Sequence, residues 1–198
     1  MAVNRKPILK TCRELGISPM VMGVGKETKR DPNAGKRKKV SEYGMQLKEK
    51  QKLRFIYGVL EKQFYHTFEI AQKMEGQPGE NLITCLESRL DNVAFRMGAA
   101  LTRREARQLV AHGHFLVNGK RVDIPSYSVK VGDVISLSEK SKKSEKFKQI
   151  AEGTADRLTP AWLDVNKEQG SAKVLRAPVK EDLDYEVEEH LIVELYSK

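Results

Sequence analysis

The chain has 198 residues and carries 36 Lys and Arg against 27 Asp and Glu, for a net charge of +9 and a pI near 9.5. A balance this basic calls for a polyanionic partner. No apolar run approaches a bilayer span, and the start, MAVNRKPILK, lacks a signal peptide's apolar stretch, so no membrane role and a cytoplasmic site are expected.

Hydrophobic residues make up 39%, enough for one good core or two modest ones. Cys12 and Cys85 lie far apart in no paired spacing, so neither a disulfide framework nor a zinc knuckle is expected. His66, His112, His114 and His190 form no ligand pattern either, and no metal or other cofactor is called for.

From Met1 to Arg54, fifteen Lys/Arg stand against five Asp/Glu, so the positive end is at the front. Pro7 to Leu15 predicts a short helix that Gly16 stops. From Ile17 to Val40 there is no clear period, and a free chain of that composition is expected to be largely disordered. The stretch closes on Lys36, Arg37, Lys38 and Lys39. These four make either a solvated loop or an RNA grip, and a loop this long usually has a binding job. Ser41 is a plausible N-cap. Leu53, Ile56, Tyr57, Leu60 and Phe64 then recur at helical spacing and read as core, with Lys48, Lys50, Lys52 and Arg54 crowding the start of that stripe. Gly58 marks a bend or the join of two helices. Gly76-Gln77-Pro78-Gly79 breaks the pattern before a helix from Glu80 to Glu87.

The next stretch is the most informative. Leu90, Val93, Ala94 and Met97 share one helical face, and Gly98 is placed to cap it. Thr102-Arg103-Arg104-Glu105 matches a capping box, in which the Thr takes the N3 amide and the Glu reaches back to the cap's own amide. In the second helix Ala106, Leu109 and Val110 face one way, and Arg103, Arg104 and Arg107 are expected to face the other. After Gly113, Phe115 and Val117 alternate into Asn118-Gly119, a two-residue hairpin turn whose return strand opens with Lys120 and Arg121. Nothing here is a nucleophile or general base, so no enzyme is expected. A row of permanent cations on a rigid element suits phosphate oxygens. The plain alternative is a solvated helix face. The continuation into Lys120 and Arg121 on so basic a chain favours nucleic acid; His112, beside the cluster, is either an RNA contact or a plain surface residue and is counted, with Arg89, Arg96 and Asn118, in the expected RNA-binding set.

After Leu137 comes a basic helical connector, EKSKKSEKFKQIAEG. Strands are expected at Pro160 to Val165, opening on the buried Trp162, and at Ala172 to Arg176. The tail reverses sign, and Leu191, Ile192, Val193, Leu195 and Tyr196 read as a final buried strand. The whole is α+β. A basic arm and helical domain over 1–86 precedes an RNA-binding module of two helices on a hairpin-rich sheet over 87–150. A C-terminal strand region with an acidic tail, 151–198, packs back on them.

RLDNVAFRMG, TRREARQLVAHG and VNGKRV resemble the small RNA-binding module named after ribosomal small-subunit protein S-four. KEKQKLRFIYGVLEKQF, GENLITCLESRLDNVAFRMG and EEHLIVELYSK are similar, in order, to the bacterial ribosomal S-four family itself. The resemblance implies a primary assembly protein that binds a helical junction in the 5′ domain of small-subunit ribosomal RNA. It also implies proteins S-five and S-three as neighbours, where incoming mRNA passes and decoding accuracy is influenced, and no obligate homo-oligomer. Glu188 and Glu189 are the expected contacts to S-five. Many members of the family carry an N-terminal zinc cluster; here Cys12 stands without partners, and the resemblance is to the zinc-free form. Other hosts of the module, RNA-modifying enzymes and synthetases, need a catalytic domain for which the flanks supply no motif. A non-ribosomal paralogue acting as a stress or regulatory factor is the remaining alternative.

Overall fold

A computed structural model describes residues 6–26 and 41–197. The chain divides into two compact units, one taking Met1–Leu82 with Asp184–Lys198 and the other Ile83–Leu183.

In the first unit, α1 (Ile8–Leu15) ends on Gly16 in the left-handed conformation, as its position in the sequence predicts. A 3-10 turn, Pro19–Met22, follows inside the stretch read as aperiodic, and Ser18 caps it by accepting the Met20 amide. Val21 and Met22 are buried, so this part of the arm has packing of its own. Cys12, on α1, is fully buried. Ser41 caps α2 (Glu42–Ile56) by accepting the Gly44 amide at 3.2 Å. Gly58, at φ +64, is the join to α3 (Glu61–Lys73). Asn81 closes the far end of α3, donating to the carbonyls of Ala71, Met74 and Glu75. Its helix, α4 (Pro78–Glu87), begins in the first unit and ends in the second.

The C-terminal segment corrects the sequence reading. Residues read as a strand form a helix, Glu189–Ser197, which packs along α2. The reason lies in Glu194. A strand would put Ile192, Glu194 and Tyr196 on one face and bury the carboxylate with its neighbours. A helix keeps Ile192 and Tyr196 together and swings Glu194 aside, where it accepts from Gln46 Nε2 at 2.9 Å. Ile192 is then fully buried, and the Tyr196 ring meets Phe64, Tyr65 and Phe68 with centroids 6.4, 5.4 and 4.7 Å away.

The second unit holds α5 (Leu90–Arg96) and α6 (Arg103–Ala111) over an antiparallel sheet. Strands β1 (Phe115–Val117) and β2 (Lys120–Val122) form the hairpin, and β3 (Val134–Leu137) pairs with the other side of β1. Two short helices, α7 (Glu139–Lys142) and α8 (Glu145–Gly153), lead to β4 (Leu163–Asn166) and β5 (Ser171–Val174). Among the described residues the sheet order is β2-β1-β3-β5-β4, so the two late strands extend the hairpin sheet. The C-terminal helix already described is α9 in chain order. Core-facing residues alternate as a half-buried sheet requires: Phe115, Val117, Ile135, Leu137, Ala172 and Val174 point to the helices. Trp162, fully buried, packs in the same core.

Candidate nucleic-acid interface

The α4–α6 corner is built on two buried carboxylates. Glu87, 1% exposed, takes a bidentate pair from Arg96, Nε to Oε2 at 3.1 Å and Nη2 to Oε1 at 2.9 Å. Asn92 Nδ2 donates to the Glu87 carbonyl and to Oε2, and Asn92 Oδ1 accepts from Arg103 Nε at 2.9 Å. The Arg103 guanidinium also stacks 4.3 Å above the Phe95 ring, and the Arg157 guanidinium lies at the same distance from that ring. Arg157 in turn donates to the carbonyls of Phe95, Ala100 and Leu101, holding the turn after α5. Asp91, the second carboxylate, is held by Arg89 at both oxygens and by Arg107 at Oδ2.

This changes the expected outward row. Arg103 is turned inward, and Arg89, Arg96 and Arg103 are all buried at 8, 7 and 5% exposure. The cause is electrostatic: a carboxylate removed from water must be matched by charged, hydrogen-bonded partners. A helical wheel cannot reveal that need, because it does not show which acids will be interior. Thr102 caps α6 as expected, accepting the Glu105 amide at 3.2 Å. Glu105 differs from the expected box by accepting from the Leu101 amide, one residue before the cap.

With the acids facing inward, the outer side of α6 and the hairpin presents Arg104, Arg107, His112, Lys120 and Arg121, all exposed or half-buried. Asn118 works as a clamp. At φ +50 it makes the tight turn with Gly119 at φ +78, its Nδ2 donates to Asp133, and its Oδ1 accepts the Val134 amide. Lys120 and Arg121 are thereby fixed on β2, and Arg121 Nη2 donates to the His112 carbonyl at 3.1 Å. His114 faces Ser141 and the edge of Phe147. Burial, then the positive charges of His112, Lys146 and Arg121, holds its pKa below the ordinary histidine value. Lys146, from the basic connector, reaches Glu105 at 3.5 Å and adds to this side; its run of lysines was visible in sequence, its direction was not.

In the first unit Lys48 is exposed, while its companions on α2 are engaged. Lys50 and Arg54 share the carboxylate of Glu61 at 2.6 and 2.7 Å, and Lys52 pairs with Glu49 at 2.7 Å. Burial alone would raise the Glu61 pKa, but hydrogen bonds and charge from Lys50, with help from Arg54 and Tyr196, hold it below the usual value. Lys36, Arg37, Lys38 and Lys39 lie outside the described residues. Glu188 is exposed, whereas Glu189 packs its Cγ against Gly79, 2.5 Å from where a Cβ would stand.

Among the described residues no group of three or more His, Cys, Asp or Glu could hold a metal ion. Burial pushes the Cys12 thiol up, away from the thiolate a metal would need. No helix among the described residues is long and apolar enough to cross a membrane.

Residues 4–87 match the family described as ribosomal protein S4/S9 N-terminal domain, and residues 88–135 match the S4 domain. A protein named small ribosomal subunit protein uS4 from Lachnospira eligens is 55% identical over the whole of both chains. Its namesake from Fusobacterium nucleatum is 50% identical, again over both whole chains. That of Acetivibrio thermocellus is 61% identical over 162 residues, 82% of this chain and 78% of that one. Full-length identity of this order, with both domain matches in sequence, places the chain in the uS4 family of ribosomal proteins, structural and non-enzymatic components of the small subunit.

Proposed function

We propose that the chain grips small-subunit ribosomal RNA at a helical junction of the 5′ domain and, by fixing the angles between those helices, nucleates assembly of the subunit body. The observation that carries this reading is the sorting of charge in the α4–α6 corner. Glu87 and Asp91 are buried against arginines, and the outer side keeps Arg104, Arg107, Lys120 and Arg121 on a rigid helix and hairpin. A-form helices offer phosphates and 2′-hydroxyls rather than readable base edges, so fixed cations favour recognition of shape. Lys48 with the basic segment Lys36–Lys39 supplies a second platform. That segment also contacts incoming mRNA, and Glu188 meets the neighbouring S-five, with S-three nearby, which gives the protein its hand in decoding accuracy. The chain works on the cytoplasmic ribosome.

The test is titration of a 5′-domain junction transcript with the full chain over a range of salt. Affinity should fall steeply with salt through counterion release, and Arg104→Ala should flatten the log–log slope by about one phosphate contact. A duplex of equal length bound as tightly as the junction would remove the assembly reading. Native protein that leaves small subunits in a high-salt wash while retaining junction affinity would point to a regulatory rather than a structural role.

A further inference from the structure

We infer that Asp91 is a positioning residue for RNA binding, acting through Arg107; this rests on the RNA-binding reading above. Asp91 is 4% exposed and fixed at the first turn of α5, its amide donating to the Pro125 carbonyl at 3.1 Å. Arg89 holds the carboxylate in a fork, Nε to Oδ1 at 3.1 Å and Nη2 to Oδ2 at 2.9 Å. Oδ2 also accepts Arg107 Nη1 at 3.0 Å. The Arg107 side chain is 28% exposed, between the buried pair and solvent.

Formal charge gives the outcome. Arg89 and Asp91 cancel, so the triad projects a single positive charge, and Arg107 carries it to the surface. A guanidinium has five N–H donors in one rigid plane. Tying Nη1 to a buried carboxylate sets that plane and leaves Nε and Nη2 for a phosphate oxygen. An arginine held this way has already lost much of the side-chain freedom that binding would otherwise cost. Arg103, at the start of α6, spends its Nε on Asn92 in the interior. Arg107 thus links the buried Asp91 to the outer side of α6.

The experiment is a double-mutant cycle on the full chain, read as affinity for a transcript of the 5′-domain junction. Arg107→Lys keeps the charge but loses the planar guanidinium, and on a partly solvent-open side chain it should leave the fold intact; it should bind about three- to tenfold more weakly at an unchanged salt slope. Asp91→Asn strands Arg89 and risks the fold, so the second arm replaces the pair, Arg89→Met with Asp91→Leu, a change that buried ion pairs often tolerate. The paired variant, with thermal unfolding near wild type, should lose about three- to tenfold in affinity, and Arg107→Ala should cost far less in it than in wild type. Independent, multiplying effects would overturn the inference, as would wild-type affinity in Arg107→Lys. If Arg104→Ala and Arg107→Ala both leave binding and salt slope untouched, it is the RNA surface itself that is misplaced.

Discussion

The Arg121 guanidinium lies over Gly113, so close that a Cβ at 113 would stand 2.1 Å from its Nε. The glycine has a second reason to be there, since its φ of +72 ends α6 in a conformation that side chains disfavour. Gly113→Ala should therefore act twice. The backbone strain should lower stability by about 1–2 kcal/mol, measured by urea unfolding. The displaced Arg121 should also lose its bond to the His112 carbonyl and weaken RNA binding. In an Arg121→Ala background the same substitution should keep its stability cost and have no further effect on RNA.

Adjacent arginines on α6 should behave as opposites. Arg103→Ala takes the donor from Asn92 Oδ1 and the stacked cation from Phe95, both buried. A buried hydrogen bond to a charged group is worth about 1.5–3 kcal/mol, and thermal unfolding should show a loss of that order. Arg104→Ala should change stability by no more than about 0.5 kcal/mol while weakening RNA binding. A stable Arg103→Ala protein with poor RNA affinity would mean that Arg103 faces out.

Much of this was legible because local chemistry decided it. Gly16, Gly58, Gly98 and Gly113 stop helices where the sequence puts them, and Asn118-Gly119 makes the turn its residue types demand. The apolar face of α5 and α6 followed from periodicity, and the two late strands, read at Pro160–Val165 and Ala172–Arg176, stand at Leu163–Asn166 and Ser171–Val174. What escaped depended on partners distant in sequence. The run Leu191–Tyr196, apolar but for Glu194, is too short for its period alone to choose between strand and helix. Gln46 and the rings of Phe64 and Phe68, more than a hundred residues earlier, make the choice. The inward turn of Arg103 was hidden for the same reason, because nothing local in the sequence marks Glu87 and Asp91 as the acids that will be buried and demand arginines.

The cluster that docks α9 should make the first unit sensitive to acid. Glu61 accepts from Lys50, Arg54 and the Tyr196 hydroxyl, and its folded pKa lies below the ordinary value of 4.5. A carboxylate lowered in the folded state stabilises the fold above its unfolded pKa and stops doing so as the pH falls through the folded one. Wild-type protein should thus lose thermal stability below about pH 4.5, and Glu61→Gln should be less stable at neutral pH with a shallower acid loss. Parallel pH profiles for the two proteins would show that Glu61 contributes nothing to holding α9.

The acidic tail yields the most discriminating pair of substitutions. Glu188 precedes α9 and is exposed, and its amide donates to Glu49 Oε2 at 3.3 Å. Glu189, one residue on, is packed on Gly79, where a side chain on the glycine would collide with it. On the proposed reading of the tail as an interface to a neighbouring ribosomal protein, Glu188 is the more exposed of the two carboxylates. An exposed ion pair is worth about 0.2–1 kcal/mol, less than a tenfold bias on an interface that opens and closes, but enough to register in events as rare as decoding errors. Glu188→Lys should leave RNA binding and subunit assembly near normal and alter stop-codon readthrough. Glu189→Lys puts a longer, oppositely charged chain into a half-buried site, and should lower the thermal midpoint and reduce assembled subunits. Unaltered readthrough in Glu188→Lys would remove the interface role, and equal assembly defects in both would make the whole tail a structural brace for α2.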